Sequence, residues 1–156
     1  MGRLRYFNAL CPGSGKSSLS KHYETLGYTR ICQDELKTKK KCETETEKIL
    51  TSDGKVIVDR THSKKTDRQT FLDIAKQHSK SVEFIWIDYT LEHAMHNDAF
   101  RAFTERKDRM GKVTFFTYRK YFEEPELKDG YSKITKVGRR IIKQQDNPLY
   151  YKFLIS

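Results

Sequence analysis

The chain has 156 residues, the length of one ordinary domain and enough to bury a core. Hydrophobic residues make up 36% and charged residues 33%, while nine Phe, nine Tyr and one Trp supply packing bulk, which excludes a disordered chain. A formal charge of +10 favours a polyanionic partner bound in a salt-sensitive way, and no apolar run reaches the length of a membrane span or forms a signal peptide.

The three cysteines, Cys11, Cys32 and Cys42, have neither metal-ligand spacing nor a disulfide framework. A reducing compartment inside the cell, cytoplasmic or nuclear, is therefore expected. One domain is expected to span residues 1–156, since no repeat or linker interrupts the chain.

An apolar segment from Leu4 runs into a glycine-rich turn and then into Lys16-Ser17-Ser18 at a helix start. Gly13 and Gly15 allow successive backbone N–H groups around Ser14 to point at phosphate oxygens, and the helix adds its unpaired N–H groups and dipole. Lys16 is then expected to reach the β- and γ-phosphates of a nucleoside triphosphate, with Ser17 offering its hydroxyl to a magnesium ion. Leu10 stands where the G-x-x-x-x-G-K-[ST] pattern has its first glycine.

Ser17 to Leu26 reads as a helix stopped by Gly27, and Tyr28 to Cys32 as a strand. That strand delivers Asp34 to the sheet edge where ligands bind in open parallel sheets. Glu35 to Leu50 reads as one helix, basic near its start. After a turn at Asp53-Gly54, Lys55 to Val58 is a buried strand ending in Asp59, a usual place for a carboxylate near the nucleotide's metal. Thr66 to His78 is a helix with Phe71, Leu72, Ile74 and Ala75 inward, and Ser81 to Ile87 is the fourth strand.

Leu91 to Arg109 reads as one long helix or two short ones, a candidate helical lid carrying Arg101, with His93 and His96 as surface residues. Val113 to Glu123 is an aromatic and basic segment ended by Pro125. Asp129-Gly130 turns the chain into a last short strand before Val137. The alternation of strands and helices predicts an α/β fold, with a central parallel sheet of about four or five strands flanked by helices.

Three side chains suit phosphoryl transfer. Asp34 can accept the proton of an alcohol attacking the γ-phosphate, Lys16 holds phosphates, and Arg101 can close over the transferring oxygens. Pro12-Gly13-Ser14-Gly15-Lys16-Ser17-Ser18, Gln33-Asp34-Glu35-Leu36, Val58-Asp59-Arg60-Thr61-His62, His96-Asn97, and Tyr118 to Pro125 continuing through Asp129-Gly130-Tyr131 resemble, in order and spacing, the kinase domain of polynucleotide 5'-hydroxyl kinases. The likeness is strongest to the kinase half of the polynucleotide kinase/3'-phosphatases of DNA repair and runs from about Phe7 to Tyr131.

The resemblance implies a P-loop kinase fold and transfer of the γ-phosphate of ATP or GTP, with Mg2+, to the 5'-OH end of DNA or RNA. It makes Asp34 the general base and Arg101 a lid residue that also binds the nucleotide. Asp59 would lie beside the metal and acceptor, and Lys37, Thr61 and Arg68 would hold the acceptor strand. Lys37 stands where arginine is frequent, Gln33 replaces an arginine that often precedes the base, and Arg60 and His62 occupy asparagine positions. These departures bear on the acceptor rather than on the reaction. No Asp-x-Asp-Gly-Thr phosphatase motif or ligase lysine motif is present, so kinase activity alone is expected. Two other readings are a small-molecule P-loop kinase acting on a nucleoside, nucleotide or sugar, and a basic nucleic-acid-binding module that no longer turns over.

Overall fold

The computed structural model describes residues 4–9, 16–88 and 90–137. Five strands, β1 (Leu4–Ala9), β2 (Tyr28–Cys32), β3 (Lys55–Asp59), β4 (Val82–Ile87) and β5 (Lys133–Val137), form one sheet in the order β2-β3-β1-β4-β5, every neighbouring pair parallel. Among the described residues six α-helices accompany them: α1 (Lys16–Thr25), α2 (Gln33–Leu36), α3 (Lys39–Thr51), α4 (Lys65–Gln77), α5 (Leu91–Glu105) and α6 (Lys112–Tyr121). The expected α/β architecture with a parallel sheet is present.

The apolar runs of β3 and β4 are buried on both faces because helices cover both. Val56, Val58, Phe84 and Trp86 pack with Cys42 and Leu50 of α3 and Phe71, Leu72, Ile74 and Ala75 of α4. Alternate residues Ile57, Ile85 and Ile87 meet Leu19 and Tyr23 of α1 on the other face. Each fully buried side chain of this size stabilises the fold by roughly 1.5–3 kcal/mol. A third cluster, Leu91, Ala94, Phe115 and Tyr118, joins α5 to α6.

Local chemistry places the boundaries. Gly27, at φ +83°, ends α1 as its composition predicts. The helix expected over Glu35 to Leu50 is instead broken in two. Lys37 adopts φ 69° and closes α2, and the Thr38 hydroxyl then caps α3 by accepting the Lys41 N–H at 3.2 Å. Gly54 allows the turn into β3, since a Cβ there would lie 2.5 Å from Ile49 Cγ2.

The segment most particular to the resemblance, Tyr118 to Tyr131, is a strap. Tyr118 stacks on Phe122, Phe122 meets Trp86, and Tyr131 sits edge-on to Phe84 at 5.0 Å. A 3-10 turn at Leu127–Asp129 carries a reciprocal Glu126/Asp129 capping box, and Lys65 pairs with both acids at 2.6 and 3.3 Å. Among the described residues, no helix is long and apolar enough to cross a membrane.

Candidate phosphoryl-transfer site

Parallel strands aim their carboxyl ends at one edge, and there a cleft of about 310 Å³ opens. Lys16 enters it from the start of α1. Arg30, Cys32, Gln33 and Asp34 enter from the end of β2, and Asp59, Arg60 and Thr61 from the end of β3. Asp34 and Lys16 thus line the same cavity, although 18 positions apart in the chain. Asp34 is exposed at the start of α2, and the Lys16 ammonium donates to the Thr61 hydroxyl.

Asp59 is buried, with Cys32 as its β2 register partner. Its Oδ2 accepts three hydrogen bonds, from Ser20 Oγ at 3.0 Å and from Arg30 Nε and Nη2 at 2.9 and 2.6 Å. Arg30 Nη1 donates to Glu35 Oε1 at 2.7 Å. Burial opposes the Arg30 charge, but the bonds and charge of Asp59 outweigh it and hold the guanidinium above its ordinary pKa. Among the described residues no hydrogen bond reaches Asp59 Oδ1. A carboxylate oxygen so placed suits magnesium, a hard cation held by few protein oxygens and completed by phosphates and water. No cluster of three or more Asp, Glu, His or Cys able to hold a metal occurs among the described residues, so a metal here would depend on the nucleotide for ligands.

Arg60 is half-buried, and desolvation pushes its guanidinium below its ordinary pKa against the pull of the Asp67 and Glu43 carboxylates. Its Nη1 is buried without a hydrogen-bond partner. Next to it, His62 is buried against Phe71, and burial, aided by the Arg68 charge, pushes its pKa down to about 4. The imidazole is neutral at pH 7.

Other expected site residues fall elsewhere. Gly13, Ser14 and Gly15 lie outside the described residues, and Ser17 and Ser18 fall on the first turn of α1. Lys37 is exposed beside the cleft, its ammonium bonded to the Asp34 carbonyl at 2.6 Å. Arg101, on α5, lies near Glu105 at 3.8 Å and is not among the described residues that line the cleft.

Arg68 requires a correction. Expected to hold phosphates of an acceptor, it is 1% exposed and turned inward. Its Nη1 donates to the carbonyls of His62 and Ser63 at 3.2 and 3.3 Å, its Nη2 to that of Glu123 at 2.7 Å, and its guanidinium lies 5.5 Å from the Phe84 ring centre. Arg68 ties the loop after β3 to the strap. His96, expected at the surface, is likewise buried within α5, beside Asn97 and Asp98.

Sequence reasoning missed Arg30 and Ser20. The signal for Arg30 was available: an arginine two residues before the end of a parallel strand needs a carboxylate, and Asp59 ends the neighbouring one.

A family model described as an AAA domain matches residues 11–125. The chain is 28% identical over 141 residues to a Schizosaccharomyces pombe protein named bifunctional polynucleotide phosphatase/kinase, covering 90% of this chain and 35% of that one. The chain thus spans about a third of the length of the curated relatives it matches. A gluconokinase from Sinorhizobium meliloti 1021 superposes with a TM-score of 0.69 at 16% identity, over 97% of this chain and 91% of its own. Kti12 from Chaetomium thermophilum, solved with ADP-AlF3, gives 0.66 at 14% identity over 96% of each chain. At such identities the structural likeness shows the fold, that of P-loop kinases.

Proposed function

The chain belongs to this AAA domain family, and on that premise we propose that it is a polynucleotide 5'-hydroxyl kinase, moving the γ-phosphate of ATP or GTP to the 5'-OH end of DNA or RNA. The observation that carries the reading is the convergence of Lys16 and Asp34 on one cleft at the carboxyl edge of the sheet. The kinase-named relative and the +10 charge support it.

Residues 1–156 form the kinase domain. Its phosphate loop, Gly13 to Ser18, cradles the nucleotide, with Lys16 on the β- and γ-phosphates. Asp34 orients the 5'-hydroxyl and takes its proton as the oxygen attacks the γ-phosphorus. The bond to the β-phosphate oxygen breaks, and its electron pair leaves with the nucleoside diphosphate. Ser17 and Asp59 are the residues that would hold magnesium, which neutralises charge across the phosphates when bound. Arg30 and Ser20 fix the rotamer of Asp59 from behind. Thr61 and Lys37 flank the acceptor, and Arg101 on α5 closes over the transferring group as a lid residue.

The test is label transfer from γ-labelled ATP to 5'-OH oligonucleotides, single-stranded and recessed, DNA and RNA, beside nucleoside and sugar acceptors. Label on oligonucleotides is the expected result. Transfer to small acceptors alone would make the protein a small-molecule kinase, and no transfer by the folded protein would reduce it to a binding module.

A further inference from the structure

Beside the cleft lies a second groove, of about 450 Å³, that no step of the proposed reaction uses. It is lined by Lys64, Thr66, Lys120, Tyr121, Phe122 and Glu123. Tyr121, the last residue of α6, is 45% exposed, and two ammonium groups flank its ring, Lys64 Nζ at 5.1 Å and Lys120 Nζ at 5.3 Å from the centre.

The walls are built rather than fortuitous. The Glu123 N–H donates to the Ser63 carbonyl at 2.8 Å, and the Glu123 carboxylate accepts the Lys65 N–H at 2.6 Å. From beneath, buried Arg68 bonds the carbonyls of His62, Ser63 and Glu123. The one acid among the described lining residues is therefore engaged in holding the groove's shape. A half-exposed aromatic ring with two ammonium groups near it is the combination that stacks a base while neutralising its backbone.

The loop after β3 contributes to both the cleft and the groove. Thr61 lines the cleft and Lys64 the groove, three residues apart and so at most about 11 Å along the backbone.

We propose that the Lys64/Lys120/Tyr121 groove binds single-stranded nucleic acid, stacking on Tyr121 a base inward of the 5' end and holding the adjoining phosphates with the two lysines. As an acceptor site it rests on the kinase reading, but strand binding itself does not.

The experiment measures binding without nucleotide, using single-stranded hexanucleotides that carry 2-aminopurine at each position in turn, with wild type, Tyr121→Ala, Tyr121→Phe and the Lys64→Gln/Lys120→Gln pair. Quenching is expected at one position inward of the 5' end and not at the 5'-terminal base. Tyr121→Ala abolishes it and weakens binding about five-fold or more, while Tyr121→Phe retains it. The lysine pair lowers the slope of log K against log salt by about 0.7 for each lysine removed. In phosphotransfer, Tyr121→Ala raises KM for a hexanucleotide with kcat unchanged and leaves a dinucleotide acceptor unaffected. Wild-type quenching and affinity in Tyr121→Ala would overturn the groove, even with kinase activity intact. Tyr121-dependent binding by a protein that phosphorylates no oligonucleotide would uphold the groove and sink the kinase reading.

Discussion

Arg30 sets Nε and Nη2 on a single oxygen of Asp59, at 2.9 and 2.6 Å, and turns Nη1 to Glu35. The pair is nearly sealed, with the Arg30 side chain 13% and that of Asp59 4% exposed. Removing one partner therefore leaves the other charge buried alone. Arg30→Gln is expected to cost about 3 kcal/mol in urea unfolding, and adding Asp59→Asn should recover part of it. A loss below about 0.5 kcal/mol would mean that the pair carries no such weight.

Arg68 yields a prediction opposite in kind to that of a strand-binding arginine. Its guanidinium holds three carbonyls from two segments in the interior. Arg68→Ala is expected to lower stability by at least about 2 kcal/mol, whereas an exposed phosphate-contacting arginine stays within about 0.5 kcal/mol. Thermal or urea unfolding separates the two.

His62 makes stability depend on pH with a definite sign. Folded, its pKa is pushed down to about 4, while in the unfolded chain it titrates near its ordinary value of 6.5. Between these values the unfolded state binds the extra proton. The contribution is complete above pH 6.5 and is lost as the pH falls to about 4, at up to about 1.4 kcal/mol per pH unit. His62→Asn should flatten the unfolding free energy across that window. Glu126, held down to about 2 by Lys128 and Lys65, titrates mostly beneath it.

Gly54→Ala tests the turn into β3. The new methyl would meet Ile49 Cγ2 at 2.5 Å and the Ile49 carbonyl at 2.9 Å, and the backbone atom cannot swing aside. A loss of about 1–3 kcal/mol is expected from equilibrium unfolding, against a small change for Gly111→Ala, whose Cβ meets nothing within 4 Å.

The layered core was legible because β3 and β4 are apolar at every position that two covered faces require, and Gly27 ends α1 by its backbone angle alone. The break at Lys37 was not. Lys37 to Lys41 reads as a solvated helical run, and only the Thr38 hydroxyl on the Lys41 N–H marks a new start. In the cleft, the placement of Lys16, Asp34, Asp59 and Thr61 follows from strand ends, which chain order reveals. Arg68 misled because the resemblance makes it a strand-holding residue, and nothing in the local sequence discloses that its partner is the Glu123 carbonyl 55 residues away. His96 misled similarly, since nothing in its neighbours discloses which side of α5 is covered.

The account depends on Asp34 acting on the acceptor and not on the nucleotide. Single-turnover phosphate transfer to a 5'-OH oligonucleotide by Asp34→Asn, run beside equilibrium ATP binding, tests it most directly. The predicted result is transfer slowed about 10²- to 10⁴-fold with ATP affinity within about two-fold of wild type. Undiminished transfer, or ATP binding lost together with it, would contradict the assignment.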